Sequence, residues 1–281
     1  MTNRRHLVIP GIIVAVLSVI WDLMVALVLN IPPGYATTTA ADQTVTSQVF
    51  AIIAGDVGMA VVVFGLYFAI QFSRRGSVVD YGVASRARSN VPLQAAWIGS
   101  SFVLVMFAAG FGVVELEGQT APSLVVPASA LAAGAQHDPL IVQVIGQQWQ
   151  FTYRYPQYGG FETQQLRIPT DRLVQFDVTS IDVTHSFWAY QLGIKLDANQ
   201  GSNNVGYVYV TKPTLINVRC GELCGLFHGY MTNVGDQAGQ AVSPSDFSSW
   251  LSYAEATYGP EAKNLPRFAL VYYPQPLIFG S

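Results

Sequence analysis

The chain has 281 residues, of which 51% are hydrophobic and only 11% charged, with a mean hydropathy of +0.34. A soluble domain carries about 25% charged residues, so a wholly soluble protein is excluded and apolar sequence must be concentrated somewhere. The formal net charge of −3 excludes a strongly basic nucleic-acid binder, and two cysteines without a Cys-x-x-Cys-His exclude covalently attached c-type haem.

Three apolar stretches come first: Val8–Asn30, Val49–Phe72 and Leu93–Val114. Each is long enough to cross a bilayer, which takes roughly 20 residues. Arg4 and Arg5 precede the first stretch, the loop 31–48 has no Lys or Arg, and the next loop carries Arg74, Arg75, Arg86 and Arg88. The positive-inside rule then puts the N-terminus and the second loop in the cytoplasm and everything after residue 115 on the outer face. The first stretch also resembles a secretory signal. Its apolar run is long for one, and no clean small-x-small cleavage site follows, so a retained helix is expected. Asp22 and Asp56 lie inside spans, where a carboxylate is costly. The plainer expectation for both is a neutral, hydrogen-bonded carboxyl buried against a neighbouring subunit.

Residues 116–138 are rich in Ala, Ser, Pro and Gly and read as a linker. Beyond them the pattern turns to short β segments. Leu140–Tyr155 reads as a strand with Trp149, Phe151, Tyr153 and Tyr155 alternating onto one side. Residues 164–168, 173–179, 205–211 and 215–218 are further strand candidates, punctuated by Gly and Pro. This pattern suggests a β-sandwich. A short helix is expected just after Pro244. The expected organisation is a membrane part over 1–115, with helices at 8–30, 49–72 and 93–114. A linker over 116–138, a β-domain over 139–255 and a tail over 256–281 follow. Residues 1–114 carry six Arg against four Asp (+2), and residues 115–281 eight Lys/Arg against thirteen Asp/Glu (−5). This mild acidic excess outside suits a basic partner or plain solubility.

The chemistry is concentrated in Cys220-Gly-Glu222-Leu-Cys224-Gly-Leu-Phe-His228-Gly-Tyr-Met231, with His185 upstream. Two thiolates, two imidazoles and a thioether form a soft donor set that selects copper or zinc over magnesium or calcium. A Cys₂His₂ zinc site would leave Met231 without a role. A blue one-copper site needs only one cysteine. A disulfide would use both cysteines, as outer compartments allow, but ignores His228 and Met231. A two-copper site uses every donor: both thiolates bridge the metals, one His binds each, and Met231 and the Glu222 carbonyl act as weak axial donors.

Cys-x-Glu-x-Cys-Gly-x-x-His-x-x-Met with an upstream Val-x-His-Ser-Phe resembles subunit II of cytochrome c oxidase and its dinuclear CuA centre. Gly193-Ile-Lys195-Leu-Asp197-Ala, Gly146-Gln-Gln-Trp149-Gln-Phe-Thr-Tyr153 and Ala96-Trp97 extend the resemblance over about residues 48–255. It implies N-terminal transmembrane α-helices followed by an all-β cupredoxin-like sandwich. The metal ligands it implies are His185, Cys220, Glu222 through its carbonyl, Cys224, His228 and Met231. It further implies a magnesium at the Glu222 side chain where subunit I docks, and electron entry at Trp149, which alone would read as core. Asp182 and Asp197 match acidic positions near the carrier dock or the subunit interface; alone, each reads as a solvated charge.

The chain departs from the family pattern in several places. Gln94 stands where a proton-channel Glu is common, Phe151 replaces a second Trp, and Gln200 replaces a frequent Pro. The stretch after Met231 looks looser than the family's apolar strand. The first helix is additional, and the tail 256–281 has no placed counterpart.

The expected function is that of a respiratory haem–copper oxidase subunit in the cell membrane. It would take electrons from cytochrome c or a small copper protein and pass them to haem in subunit I. Oxygen reduction and proton translocation would reside there, because His6 and His137 are the only further histidines. The alternatives are a copper-free quinol oxidase subunit II, against which the intact donor set speaks, and a membrane copper-binding protein without electron transfer. Nitrous oxide reductase would require a large additional His-rich domain.

Overall fold

The computed structural model describes residues 2–28, 36–73, 91–120, 126 and 138–263. It divides into two units, Met1–Ile31 with Val45–Val114, and Pro32–Thr44 with Glu115–Ser281. The arginine-bearing loop 74–90, most of the expected linker, His137 and residues 264–281 lie outside the described residues.

The first unit is built from three helices, α1 (Thr2–Val28), α2 (Thr38–Ser73) and α3 (Val91–Thr120). Each contains a stretch long and apolar enough to cross a membrane: His6–Val28, Thr38–Gln71 and Val91–Val114. Leu, Ile, Val and Phe side chains stand exposed along all three, as expected where lipid is the solvent. The expected spans therefore fall on helices, although α2 begins at Thr38, well before Val49. In that unit α1 docks on α2 through a small-residue contact. The Trp21 indole donates to the Ala51 carbonyl at 2.9 Å and lies over Gly55, where a Cβ would sit 2.0 Å from the indole nitrogen. His6 Nδ1 meets the Tyr67 hydroxyl at 3.0 Å. One carboxyl oxygen each of Asp22 and Asp56 is buried with no hydrogen-bond partner among the described residues.

The second unit is a β-sandwich closed by a C-terminal helix. Its strands in chain order are β1 (Leu140–Gln147), β2 (Gln150–Arg154), β3 (Glu162–Thr163), β4 (Arg167–Pro169), β5 (Leu173–Ser180) and β6 (His185–Ala189). These are followed by β7 (Ile194–Ala198), β8 (Asn204–Tyr209), β9 (Thr214–Ile216), β10 (Val218–Cys220), β11 (Thr232–Asn233) and β12 (Gly239–Val242). They form sheets of order β3-β2-β1-β5-β8, β11-β10-β6-β7 and β4-β12-β9. The pairing of β1 with β5 is parallel, with Leu140, Val142 and Val144 beside Val174, Phe176 and Val178. All six are buried, so the period-two pattern on this pair faces the core. Sheets approach closely at Gly206 of β8, where a Cβ would lie 2.7 Å from a Leu196 methyl.

The expected strand 140–155 is two strands. Gln148 and Trp149 form a two-residue turn, and β1 pairs antiparallel with β2 from Gln143↔Arg154 to Gln147↔Gln150. An apolar alternation that runs through a tight turn looks continuous in sequence, so the reversal was not legible. Phe151, Tyr153 and Tyr155 are fully buried; Trp149, on the turn, is only partly so.

Two boundaries also differ from expectation. Residues 36–44, read from sequence as membrane part, are tied into the β unit. Thr37 bridges to Val210, and the Thr37 hydroxyl and the Gln43 amide donate to the carbonyls of Leu192 and Gly193. Gly193 has φ +66°, and a Cβ there would lie 2.8 Å from Ala40 backbone, so this contact requires glycine. The short helix expected after Pro244 is α4 (Pro244–Ala262), 19 residues long, and crosses the expected 255/256 boundary. Ser243 caps it by accepting from the Asp246 amide at 3.2 Å, and Pro244 occupies its first turn. Its Phe247, Trp250 and Ala254 are buried, with Trp250 meeting Tyr155 and Phe161 edge-on at 5.2 and 6.0 Å.

Candidate metal centre

The donors of the sequence motif are presented by three neighbouring strands of one sheet. His185 opens β6, Cys220 ends β10, and Thr232 after Met231 opens β11; β10 pairs antiparallel with both, setting Cys220 opposite Phe187 and Arg219 opposite Thr232. The loop between Cys220 and Met231 is closed at its base, because the Cys220 amide donates to the Met231 carbonyl at 3.0 Å and the Gly221 amide to the Ser186 carbonyl at 2.9 Å. Register therefore converts a spacing in sequence into a fixed cage.

Within it, the Cys220 and Cys224 sulfurs stand 3.7 Å apart. A disulfide holds its sulfurs at about 2.05 Å, and both cysteines are free. His185 Nδ1 lies 3.8 Å from Cys220 Sγ, and His228 Nδ1 3.5 Å from Cys224 Sγ. Met231 Sδ is 3.8 Å from Cys224 Sγ, and the Glu222 carbonyl oxygen 3.2 Å from Cys220 Sγ. His185 and Met231 are fully buried, and both cysteines nearly so. The structure thus brings all six expected ligand residues together. The ligand atoms of His185, Cys220 and Cys224 all lie within 4.8 Å of one another. Donor separations of this size are those of ligands about 2.0–2.3 Å from shared metal. Soft donors, burial and spacing all fit copper.

The electrostatics fit a cation as well. Burial pushes the Cys220 thiol up, but hydrogen bonding with His185 and with backbone outweighs it, and its pKa falls to about 6. Cys224 is pushed up to about 12 by burial and then by the hydrogen bond and charge of Cys220. The pair thus keeps one proton near neutrality, and a cation held by these thiols would displace it. His185 is raised: burial lowers it, but Cys220 and Asp182 together outweigh that.

Several supporting residues were not assigned these roles from sequence. Asp182, expected near the carrier dock or the subunit interface, grips the back of His185: Oδ1 is 2.8 Å from Nε2. Its other oxygen accepts from the Gln148 amide at 2.6 Å, and the Val183 amide donates to Oδ1 at 2.6 Å. Burial alone would raise the Asp182 carboxyl; these donors hold it below its ordinary value. This orients Nδ1 toward the sulfurs, as a partner on the far nitrogen of a ligating histidine does. The signal was the Asp-x-x-His spacing. Gly146 clears room for the same ring, since a Cβ there would lie 3.0 Å from His185 Cδ2. The Gln148 side chain donates to the Cys224 carbonyl at 2.9 Å.

Trp149 lies against the ligand loop. A Cβ on Gly225, which has φ +114°, would sit 3.5 Å from the indole, and Phe227 meets its ring edge-on at 4.7 Å. Glu222 and Asp197 flank Lys195, whose ammonium is 3.2 Å from Glu222 Oε1 and 3.5 Å from Asp197 Oδ1. Gln94 lies exposed in the first turn of α3.

Residues 161–237 match the family model described as Cytochrome C oxidase subunit II, periplasmic domain. The chain is 31% identical over 158 residues to a probable cytochrome c oxidase subunit 2 of Rickettsia prowazekii, covering 48% of this chain and 49% of that one. It is 27% identical over 225 residues to cytochrome c oxidase subunit 2 of Bacillus subtilis, covering 78% of this chain and 60% of that one. The chain spans about half the length of the first curated relatives it matches. A crystal structure of the periplasmic domain of subunit II of cytochrome oxidase (CoxB) of Bradyrhizobium japonicum is 27% identical. The match covers 42% of this chain and 95% of that one, with a TM-score of 0.40.

Proposed function

We propose that this chain, whose residues 161–237 match the model of the periplasmic domain of cytochrome c oxidase subunit II, holds a dinuclear copper centre and accepts electrons for a respiratory haem–copper oxidase. The ligands are His185, Cys220, Cys224, His228, Met231 and the Glu222 carbonyl. Bound copper supplies one-electron redox chemistry. The single observation that carries the reading is the pair of unbonded sulfurs 3.7 Å apart, each with its own imidazole within 3.8 Å.

The protein's residues do the rest. Strands β6, β10 and β11 fix the donors before metal arrives, so little moves when an electron is added or removed. Asp182 holds the His185 tautomer. Trp149, packed on Gly225, is the entry point for electrons from cytochrome c or a small copper protein. The next acceptor is haem in a separate subunit I, where oxygen reduction and proton translocation occur. Glu222, paired with Lys195, presents the carboxylate for a magnesium at that subunit interface. The loop charges put the N-terminus in the cytoplasm and the β unit on the outer face of the cell membrane.

The test is the copper content and the EPR and optical spectra of the copper-loaded chain. Two coppers per chain and a signal from one unpaired electron shared between them are expected. One copper per chain, or the signal of an isolated blue site, overturns the reading.

A further inference from the structure

The sheet that presents the ligands has a second face. Neighbours along a strand point to opposite sides. Phe187 and Cys220 face the core, so Trp188 and Arg219 stand on the outside. Strand register sets them in one row: Arg219 of β10 is opposite Trp188 of β6, and Trp188 is opposite Lys195 of β7. Residues directly opposite in an antiparallel pair share a face. All three are exposed, Trp188 to 38%. Tyr190 lies against Trp188, with ring centroids 4.4 Å apart.

The two cations of this row differ. The Lys195 ammonium is held between Glu222 and Asp197, at 3.2 and 3.5 Å. Among the described residues Arg219 forms no ion pair. Arg, Trp and Tyr are the residues that most often anchor protein contacts, and here they stand together on a solvent-facing sheet. A guanidinium presents its donors as a planar fork that matches a carboxylate in bidentate fashion. Through Lys195 the row is continuous with Glu222, whose carboxylate is assigned above to the boundary with subunit I.

On the premise of the oxidase function proposed above, we propose that Arg219, Trp188 and Tyr190 form an anchor whose occupant is an acidic outer-face segment of subunit I. A carboxylate of that segment seats on the Arg219 guanidinium, and apolar side chains beside it cover Trp188 and Tyr190. Lys195 does not serve as the anchor, because two carboxylates already offset its charge. A chain seated on this row lies against the backs of the strands that present His185 and Cys220. That position suits the subunit that receives the electron.

The experiment uses the assembled oxidase, first in membranes and then in detergent. Trp188→p-benzoylphenylalanine, irradiated in membranes, should crosslink to subunit I, identified by mass spectrometry of the joined peptides. Crosslinks only to lipid or to the electron carrier overturn the anchor. In detergent the complex is captured by a tag on this chain, and the haem retained per copper is followed in time. Arg219→Glu should speed the loss of subunit I about tenfold or more, because removing one partner of a covered charge pair acts on dissociation. Arg219→Lys keeps the charge but loses the fork, so it should fall between the two. The copper spectrum should be the same in all three, since the Arg219 side chain points away from the donors. Equal lifetimes for the three complexes overturn the anchor and leave the oxidase function standing. An unaltered, copper-replete chain that retains no haem-bearing subunit overturns the oxidase function itself, so the two failures are distinct.

Discussion

Asp182→Ala isolates the hydrogen bond behind a ligand from the ligand itself. Asp182 accepts at 2.6 Å from the Gln148 amide, at 2.6 Å from the Val183 amide and at 2.8 Å from His185 Nε2. With Nδ1 toward the sulfurs, Nε2 must carry the proton and needs an acceptor. Removing the carboxylate frees the ring to change tautomer and to turn within the space that Gly146 leaves. Loss of such a partner costs about 10–100-fold in metal affinity, or about 1.4–2.7 kcal/mol. The side chain is 30% exposed, so water can take over its amide donors and the fold should persist. Asp182→Asn restores an acceptor for Nε2 but presents an NH₂ group to one of the amides, so it should fall between wild type and alanine. The assay is competition for copper against a chelator, read by the metal's absorption, with far-UV circular dichroism to follow the fold. An alanine variant that binds copper within about twofold of wild type would refute the argument that Asp182 sets the His185 geometry.

Cys224→Ser removes one of the two close sulfurs. It should abolish any spectrum of a shared electron and oxidase turnover, while the chain still inserts into membranes; normal turnover would count against a sulfur-bridged centre. Trp250→Ala empties the space beside the stacked rings of Tyr155 and Phe161 and should destabilise the β unit by about 3–5 kcal/mol, seen as a lowered unfolding midpoint in denaturant; a change below about 1 kcal/mol would show that α4 contributes little to the core. In the metal-free protein, thiolate absorbance should rise by one equivalent around pH 6 and by a second only near 12. Cys220 is depressed below its ordinary 9.0, so its contribution to stability is present above that value and lost as pH falls through about 6. Cys224 is raised, so its contribution is present below 9.0 and lost as pH rises through about 12. The pair's effect on stability should therefore climb from pH 6 toward 9 and decline beyond it. Two equivalents titrating together near the ordinary thiol value would contradict the coupling.

Much of the molecule is written in local pattern. Uninterrupted apolar runs in water have no stable fold short of a membrane or a large core, so three spanning stretches at 8–30, 49–72 and 93–114 were readable from hydropathy alone, though not that the second helix starts as early as Thr38. The ligand residues were readable because their side-chain chemistry is restrictive and four of them, with Glu222, fall within twelve positions. Other features were not local. The reversal at Gln148–Trp149 lies inside a continuous apolar alternation. Strands β6 and β7 take their partners from β10 and from each other, and residues 36–44 join the β unit through bonds to positions more than 100 residues away. What tertiary structure alone decided was that Asp182 turns inward to His185, that Gly146 makes room for the His185 ring, and that the sulfurs stand 3.7 Å apart. A sequence names the groups able to bind a metal. Only strand register and close packing, which depend on pairings distant in sequence, set the distances at which they do so.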